Sequence, residues 1–104
     1  MMLYKTMALG LLESRPRLHC RLKAERLLLR TTENLARELK AGHEAWTRRL
    51  ARSHPPRGEV QAGSEGLELA LWDVEDLVAR LLAEGTEPAD FPAAIAERGR
   101  LRPA

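Results

Sequence analysis

Three histidines, one cysteine and a few closely spaced carboxylates have the widest chemical reach in this chain. His43-Glu44 begins the H-E-x-x-H pattern, in which two histidines one helical turn apart hold zinc. The second histidine position is occupied by Thr47, so the ligand set is incomplete. His19 and Cys20 are adjacent, and on a helix their side chains diverge by about 100°. His54 sits in a connector without a companion. Three scattered histidines and one cysteine do not make a four-ligand zinc centre. Gly58, Gly63 and Gly66 lack the lysine and the preceding strand of a phosphate loop. Nothing near Cys20 resembles a nucleophile elbow. Asp73–Asp76 and Glu75–Asp76 read as a solvated helix face. The expectation is a non-enzyme with no catalytic residue, metal or cofactor.

The basic residues carry more weight. Arg15, Arg17, Arg21, Lys23, Arg26, Arg30 and Arg37 fall within 23 residues. Guanidinium groups grip phosphates in bidentate fashion, so this face is a candidate surface for nucleic acid or an anionic membrane. Glu25, Glu33 and Glu38 interrupt it, and no aromatic residues are interleaved for base stacking. The net charge of +2 hides an asymmetry: residues 1–58 hold 13 Lys/Arg against 5 Asp/Glu, and residues 59–97 hold 1 against 10. The acidic segment is therefore the expected internal partner of the basic one, although each exposed pair contributes only about 0–1 kcal/mol.

The elements that must position these residues are helices. Leucine (19) and alanine (15) supply 34 of the 46 hydrophobic residues, whereas valine and isoleucine together number four. Such a mixture favours helix over strand. The length of 104 residues is that of one small domain. A single cysteine excludes an internal disulfide and suits a reducing compartment. No apolar stretch approaches the roughly 20 residues that span a bilayer. The start Met1 to Leu12 lacks the cleavage site of a signal peptide, and Met2 is a second candidate start. The expected location is cytoplasmic.

Residues 2–13 read as a first helix, with Leu3, Met7, Leu11 and Tyr4, Ala8, Leu12 as paired rows at i, i+4 spacing. Ser14 is the expected cap of the next helix, with Pro16 in its first turn. A second helix then runs from about 15 to 52, with Leu18, Leu22, Leu28, Leu29, Leu35, Ala36, Leu39, Trp46 and Leu50 in one arc. Glu25, Thr32 and His43 lie inside that arc and Leu27 outside it. Such a helix would be about 57 Å long, so the molecule is elongated or the helix breaks near Thr31-Thr32 or Gly42. Residues 53–63 form a connector. A third helix is expected from Ser64 as N-cap to Glu84, with Gly85 just beyond its end. Pro88, Pro92 and Pro103 limit residues 86–104 to a tail with one short helix near 92–98, ended by Gly99 and docked by Phe91, Ile95 and Leu101.

These pieces predict an all-α fold: a domain over 1–85 built as an elongated antiparallel helical hairpin, followed by the 86–104 tail. The first and third helices would lie end to end along the second. Such a thin arrangement leaves apolar stripes uncovered, which a homodimer forming a four-helix-like bundle would cover. Trp72 and Leu69 lie nearly opposite the main face of the third helix. With His43 and Trp46 they form the candidate partner interface, unless the Phe91–Ile95 tail covers Trp72. Glu25, Thr32 and His43, as polar residues at the centre of an apolar stripe, are most simply read as fixing helix register. The leading functional expectation is a non-catalytic, self-associating helical protein–protein interaction or scaffold module. The alternative is a small nucleic-acid-associated protein using the Arg-rich face.

Several stretches carry a resemblance. They are Met2-Leu3-Tyr4-Lys5-Thr6, Arg15-Pro16 with Leu18-His19, Glu38-Leu39-Lys40, His43-Glu44-Ala45-Trp46, and Ser64-Glu65-Gly66-Leu67-Glu68 with Ala70-Leu71. Over about residues 2–82 the chain resembles a set of short bacterial, planctomycete-type helical proteins with no known activity. Gly66 departs from the alanine of that pattern, and a glycine there is expected to weaken the first turn of the third helix. The resemblance implies a bacterial cytosolic origin and no function.

Overall fold

The computed structural model describes residues 2–53 and 55–100, and every regular element among them is helical. The elements are α1 (Met2–Glu13), α2 (Pro16–Ala24), α3 (Leu28–Ala51), α4 (Glu59–Ala83), a 3-10 turn at Pro88–Asp90, and α5 (Phe91–Arg100). Met1, His54 and the 101–104 segment lie outside the described residues. The expectations placed on Met1, His54 and Leu101 therefore fall outside them too.

The long second helix is not formed. It divides at residues 25–27, and neither Thr31-Thr32 nor Gly42 is the point of division. Arg26 adopts φ 60°, the left-handed conformation usually given to glycine. Its N–H donates to the Lys23 carbonyl at 3.1 Å, and the Leu27 N–H donates to the Leu22 carbonyl at 2.8 Å. This is the hydrogen-bond pattern of a Schellman cap. The same pattern closes α4, where Gly85 at φ 79° takes the position expected of it. Thr31 and Thr32 instead lie in the first turns of α3, buried, with their hydroxyls donating to the carbonyls of Leu27 and Leu28. Gly42 is buried inside α3.

The break also resets helical phase, which explains the misplaced apolar residues. Leu29, assigned to the buried arc, is 68% exposed, and Glu25 is exposed at the end of α2. Leu27, placed outside the arc, packs on the core. The start of α2 differs as well: Arg15 occupies the cap position, while the Ser14 hydroxyl turns back to the Leu11 carbonyl at 2.6 Å. Pro16 opens α2 as expected.

One core unites all five helices. Tyr4, Ala8 and Leu12 from α1 meet Leu18 and Leu22 from α2, and Leu35, Ala36 and Leu39 from α3. Ala70, Val74, Val78 and Leu81 from α4 complete it together with Phe91 and Ile95 from α5. Helix α3 is central, packing against each of the other four helices. The first and third predicted helices lie side by side instead of end to end, because Tyr4 of α1 and Gly63 of α4 both meet His43 of α3, and α1 and α4 line a common groove. The extents of 47 × 25 × 19 Å keep the molecule longer than broad, but shorter than a 57 Å helix would make it. The tail is no appendage either. Phe91 and Ile95 are fully buried, the Asn34 amide donates to the Pro92 carbonyl at 2.7 Å, and α5 continues through Gly99. A Cβ at Gly99 would collide with the Glu38 carboxylate.

Helix α4 begins at Glu59, five residues before the expected Ser64, with Gly58 at its cap. Arg57 braces this early start: its guanidinium donates to Glu65 at 2.6 Å and to the Ser53 hydroxyl at 2.9 Å. The Gln61 amide and then the Arg57 guanidinium hold the Glu65 carboxyl below its ordinary pKa. Gly66 therefore sits well inside α4, not in its first turn. A Cβ there would stand 3.0 Å from the Thr47 backbone nitrogen and 2.7 Å from its Oγ1. Its lack of a side chain sets the separation of α3 and α4.

These backbone positions can be tested by three substitutions. Arg26→Gly should stabilise the chain by about 1 kcal/mol in urea unfolding, by relieving the left-handed cost while keeping the cap; a lower midpoint would refute that account. Gly66→Ala should destabilise by about 1–3 kcal/mol despite alanine's higher helix propensity, because the Thr47 backbone cannot yield cheaply. Gly63→Ala, which has no atom within 4 Å of its Cβ, should instead stabilise by about 0.5–1 kcal/mol. Equal effects at the two glycines would remove the packing argument.

Candidate functional site

The polar residue at the centre of the buried stripe ties three helices together. His43 on α3 is half-buried, with Nδ1 2.8 Å from the Tyr4 hydroxyl on α1 and Nε2 2.9 Å from the Gly63 carbonyl on α4. A carbonyl can only accept, so Nε2 carries the proton. In the neutral ring Nδ1 then accepts from the tyrosine O–H. Both ring nitrogens are thereby engaged within the chain, and the tyrosine and imidazole rings meet edge-on with centroids 5.9 Å apart. Tyr4 was not singled out from the sequence, where it stood as one member of an apolar row.

The other three candidate interface residues have separate surroundings. Trp46 is half-buried; its indole N–H donates to the Asp73 carboxylate at 2.8 Å, and the Arg49 guanidinium lies 5.1 Å from its ring centroid. Leu69 is half-buried on α4. Trp72 is 72% exposed, and the tail does not cover it, since Phe91 and Ile95 are in the core. It borders a groove of about 620 Å³ between α1 and α4, lined by Met7, Leu11 and Leu71 and edged by Glu68 and Glu75. The signal for this groove was present in the paired rows of α1. Tyr4, Ala8 and Leu12 fill the core, which leaves Met7 and Leu11 half-buried and Leu3 56% exposed on the other side.

The basic candidates are divided by the turn at Arg26. Arg15 caps α2; Arg17, Arg21 and Lys23 lie on it; Arg30 and Arg37 belong to α3. Among the described residues no ion pair joins any of these seven to an acid of α4. Arg21 approaches Glu87 at 3.8 Å, and Arg37 donates to Asn34 at 3.5 Å. The acids of α4 pair elsewhere: Glu65 with Arg57, Asp76 with Arg80 at 2.8 Å, and Asp73 with Trp46. Just after the helix, Glu84 holds Arg98 and raises its pKa. The expected basic–acidic match across the two long helices is therefore not made. A second basic cluster surrounds a recess of about 350 Å³, where Lys5, Arg37 and Lys40 stand with Glu33.

His43 and Thr47 of the H-E-x-x-H-like stretch hydrogen-bond within the chain. The Thr47 hydroxyl donates to the His43 carbonyl at 2.7 Å, and Cys20 is exposed on α2. No group of three or more His, Cys, Asp or Glu side chains placed to hold a metal occurs among the described residues. No helix of the described residues is long and apolar enough to cross a membrane. What these residues define is an all-helical chain with a polar clasp inside and two apolar grooves outside, one edged by acids beside Trp72 and one by arginines beside α2. No protein-family model, curated protein or solved structure matches the chain.

The clasp has a measurable worth. Tyr4→Phe removes the donor to His43 while keeping the ring, and should cost about 0.5–1.5 kcal/mol in urea unfolding. An unchanged midpoint would mean that water replaces the hydroxyl without penalty.

Proposed function

We propose that this chain is a non-catalytic helical protein–protein interaction module, acting in the cytoplasm and pairing with a second copy of itself. The observation that carries the reading is Trp72, 72% exposed beside a groove lined by Met7, Leu11 and Leu71. A large aromatic at the rim of uncovered apolar surface is the typical composition of a binding hot spot. Helices α3 and α4 act as an antiparallel hairpin framework that holds this surface rigid. Two such faces packed together would form a four-helix-like bundle from α1 and α4 of each copy. The interface then centres on Trp72 and the exposed edge of Leu69. His43 and Trp46 support it from behind, through the contacts they make inside their own chain.

Light scattering should give twice the 11.7 kDa chain mass, and Trp72→Glu should return it to the mass of one chain with an unchanged helical spectrum. A wild-type chain that remains monomeric at high concentration would overturn self-association.

A second reading has a specific observation in its favour. Of the seven basic residues from Arg15 to Arg37, only Arg21 has an acidic partner among the described residues, Glu87 at 3.8 Å, and none pairs with an acid of α4. Such a surface suits nucleic-acid phosphates. If it binds duplex DNA or RNA, affinity should fall steeply with salt, and replacing Arg17 and Arg30 with glutamine should lower the log–log slope by about two. Absence of binding at low salt would eliminate this reading.

A further inference from the structure

A second groove, of about 770 Å³, runs between α2 and the turn that follows α4. Leu18, 5% exposed, and buried Pro88 form its floor, and Leu82, 38% exposed, forms a wall. Arg15, Arg17 and Arg21 stand along one side. Among the described residues neither Arg15 nor Arg17 has an anionic side-chain partner. Arg21 has Glu87, at 3.8 Å, with the two side chains 62% and 69% exposed. A contact so long and so solvated does little to neutralise the guanidinium.

The groove thus sets three cations beside uncovered aliphatic surface. A bare inorganic anion would satisfy the arginines and leave Leu82 in water. A single-stranded polynucleotide would find no aromatic platform among the lining residues and would meet the Glu87 carboxylate beside Arg21. A ligand with one anionic head and one aliphatic tail matches both features, through charge-assisted hydrogen bonds and apolar burial respectively.

We propose that this groove binds a single-tailed amphiphilic anion, an alkyl carboxylate or alkyl phosphate taken one molecule at a time. The head lies on Arg15, Arg17 and Arg21, displacing Glu87 from Arg21. The alkyl chain lies over Leu18, Leu82 and Pro88. This site shares no lining residue with the groove beside Trp72.

The test titrates the full isotope-labelled chain with decanoate or decyl phosphate below their micelle concentrations, followed by amide chemical shifts. Saturable changes are expected at residues 16–22 and 82–88, in wild type and in Trp72→Glu alike. The double variant Arg17→Gln with Arg21→Gln should bind at least about tenfold more weakly, the loss of roughly one charge-assisted hydrogen bond. Glu87→Gln, which removes the competing carboxylate, should bind a few-fold more tightly. Acetate, inorganic phosphate and decyltrimethylammonium should give no saturable change. The proposal is overturned if the cationic amphiphile binds as well as decanoate, or if the double variant keeps a dispersed spectrum and wild-type affinity. It is equally overturned if the changes centre on Trp72, or if anionic vesicles bind while the monomeric amphiphiles do not.

Discussion

The architecture depends on one backbone reversal, at Arg26. An L-residue in the left-handed region costs about 1–2 kcal/mol. Here that cost is offset by three hydrogen bonds that satisfy the carbonyls of Arg21, Leu22 and Lys23, and by Leu27 turning in to pack on the core. Without the reversal, residues 16–51 would be one rod with room for partners along a single stripe. With it, α2 leaves the axis and α3 becomes a central helix that α1, α4 and α5 can all reach. The fully buried side chains of Leu12, Leu22, Leu35, Val74, Phe91 and Ile95 then share one core instead of two thin seams.

Around that centre, fit is set by small and polar groups more than by bulk. Gly66 brings α4 against the Thr47 backbone, and three turns of α4 present Ala62, Gly66 and Ala70 to the interior. His43 then defines the rotation of α3 relative to both neighbours, since moving either helix by one residue would break its bond to Tyr4 or to the Gly63 carbonyl. Charge has little part in this. Among the described residues the basic and acidic halves of the chain are joined by ion pairs only at Arg21–Glu87 and Arg57–Glu65, with none between α3 and α4, so most of the electrostatic asymmetry is carried outward to the surface.

Much of this was legible in the residue pattern. The bounds of α1 follow from its paired rows, and the end of α4 follows from Gly85, because a glycine after a periodic run is a direct marker of a left-handed cap. The end of α2 was not legible for the complementary reason: its cap residue is an arginine, and the periodicity on either side is good enough to bridge the gap. Ser64 misled as a cap because serine is favoured at helix starts, whereas the earlier start at Glu59 relies on Arg57 bracing Glu65 eight residues on. Trp72 was legible as a misfit on its helix, and its exposure agrees with that. His43 was legible as a register-fixing residue, but Tyr4, distant in sequence, could be matched to it only once α1 was placed on α3. The arginines were legible as a charge run. Their gathering beside Leu82 and Pro88 was not, because it requires the turn after α4 to return to α2.

The two tryptophans occupy opposite circumstances: Trp46 is anchored through its indole nitrogen and overlaid by Arg49, while Trp72 lies mostly in solvent. The chain therefore contains two intrinsic optical probes of different events. Emission from Trp46 reports the integrity of the α3–α4 contact, and emission from Trp72 reports whatever comes to rest on the α1–α4 face. Single-tryptophan forms would let folding and association be followed separately in the same molecule, without an added label.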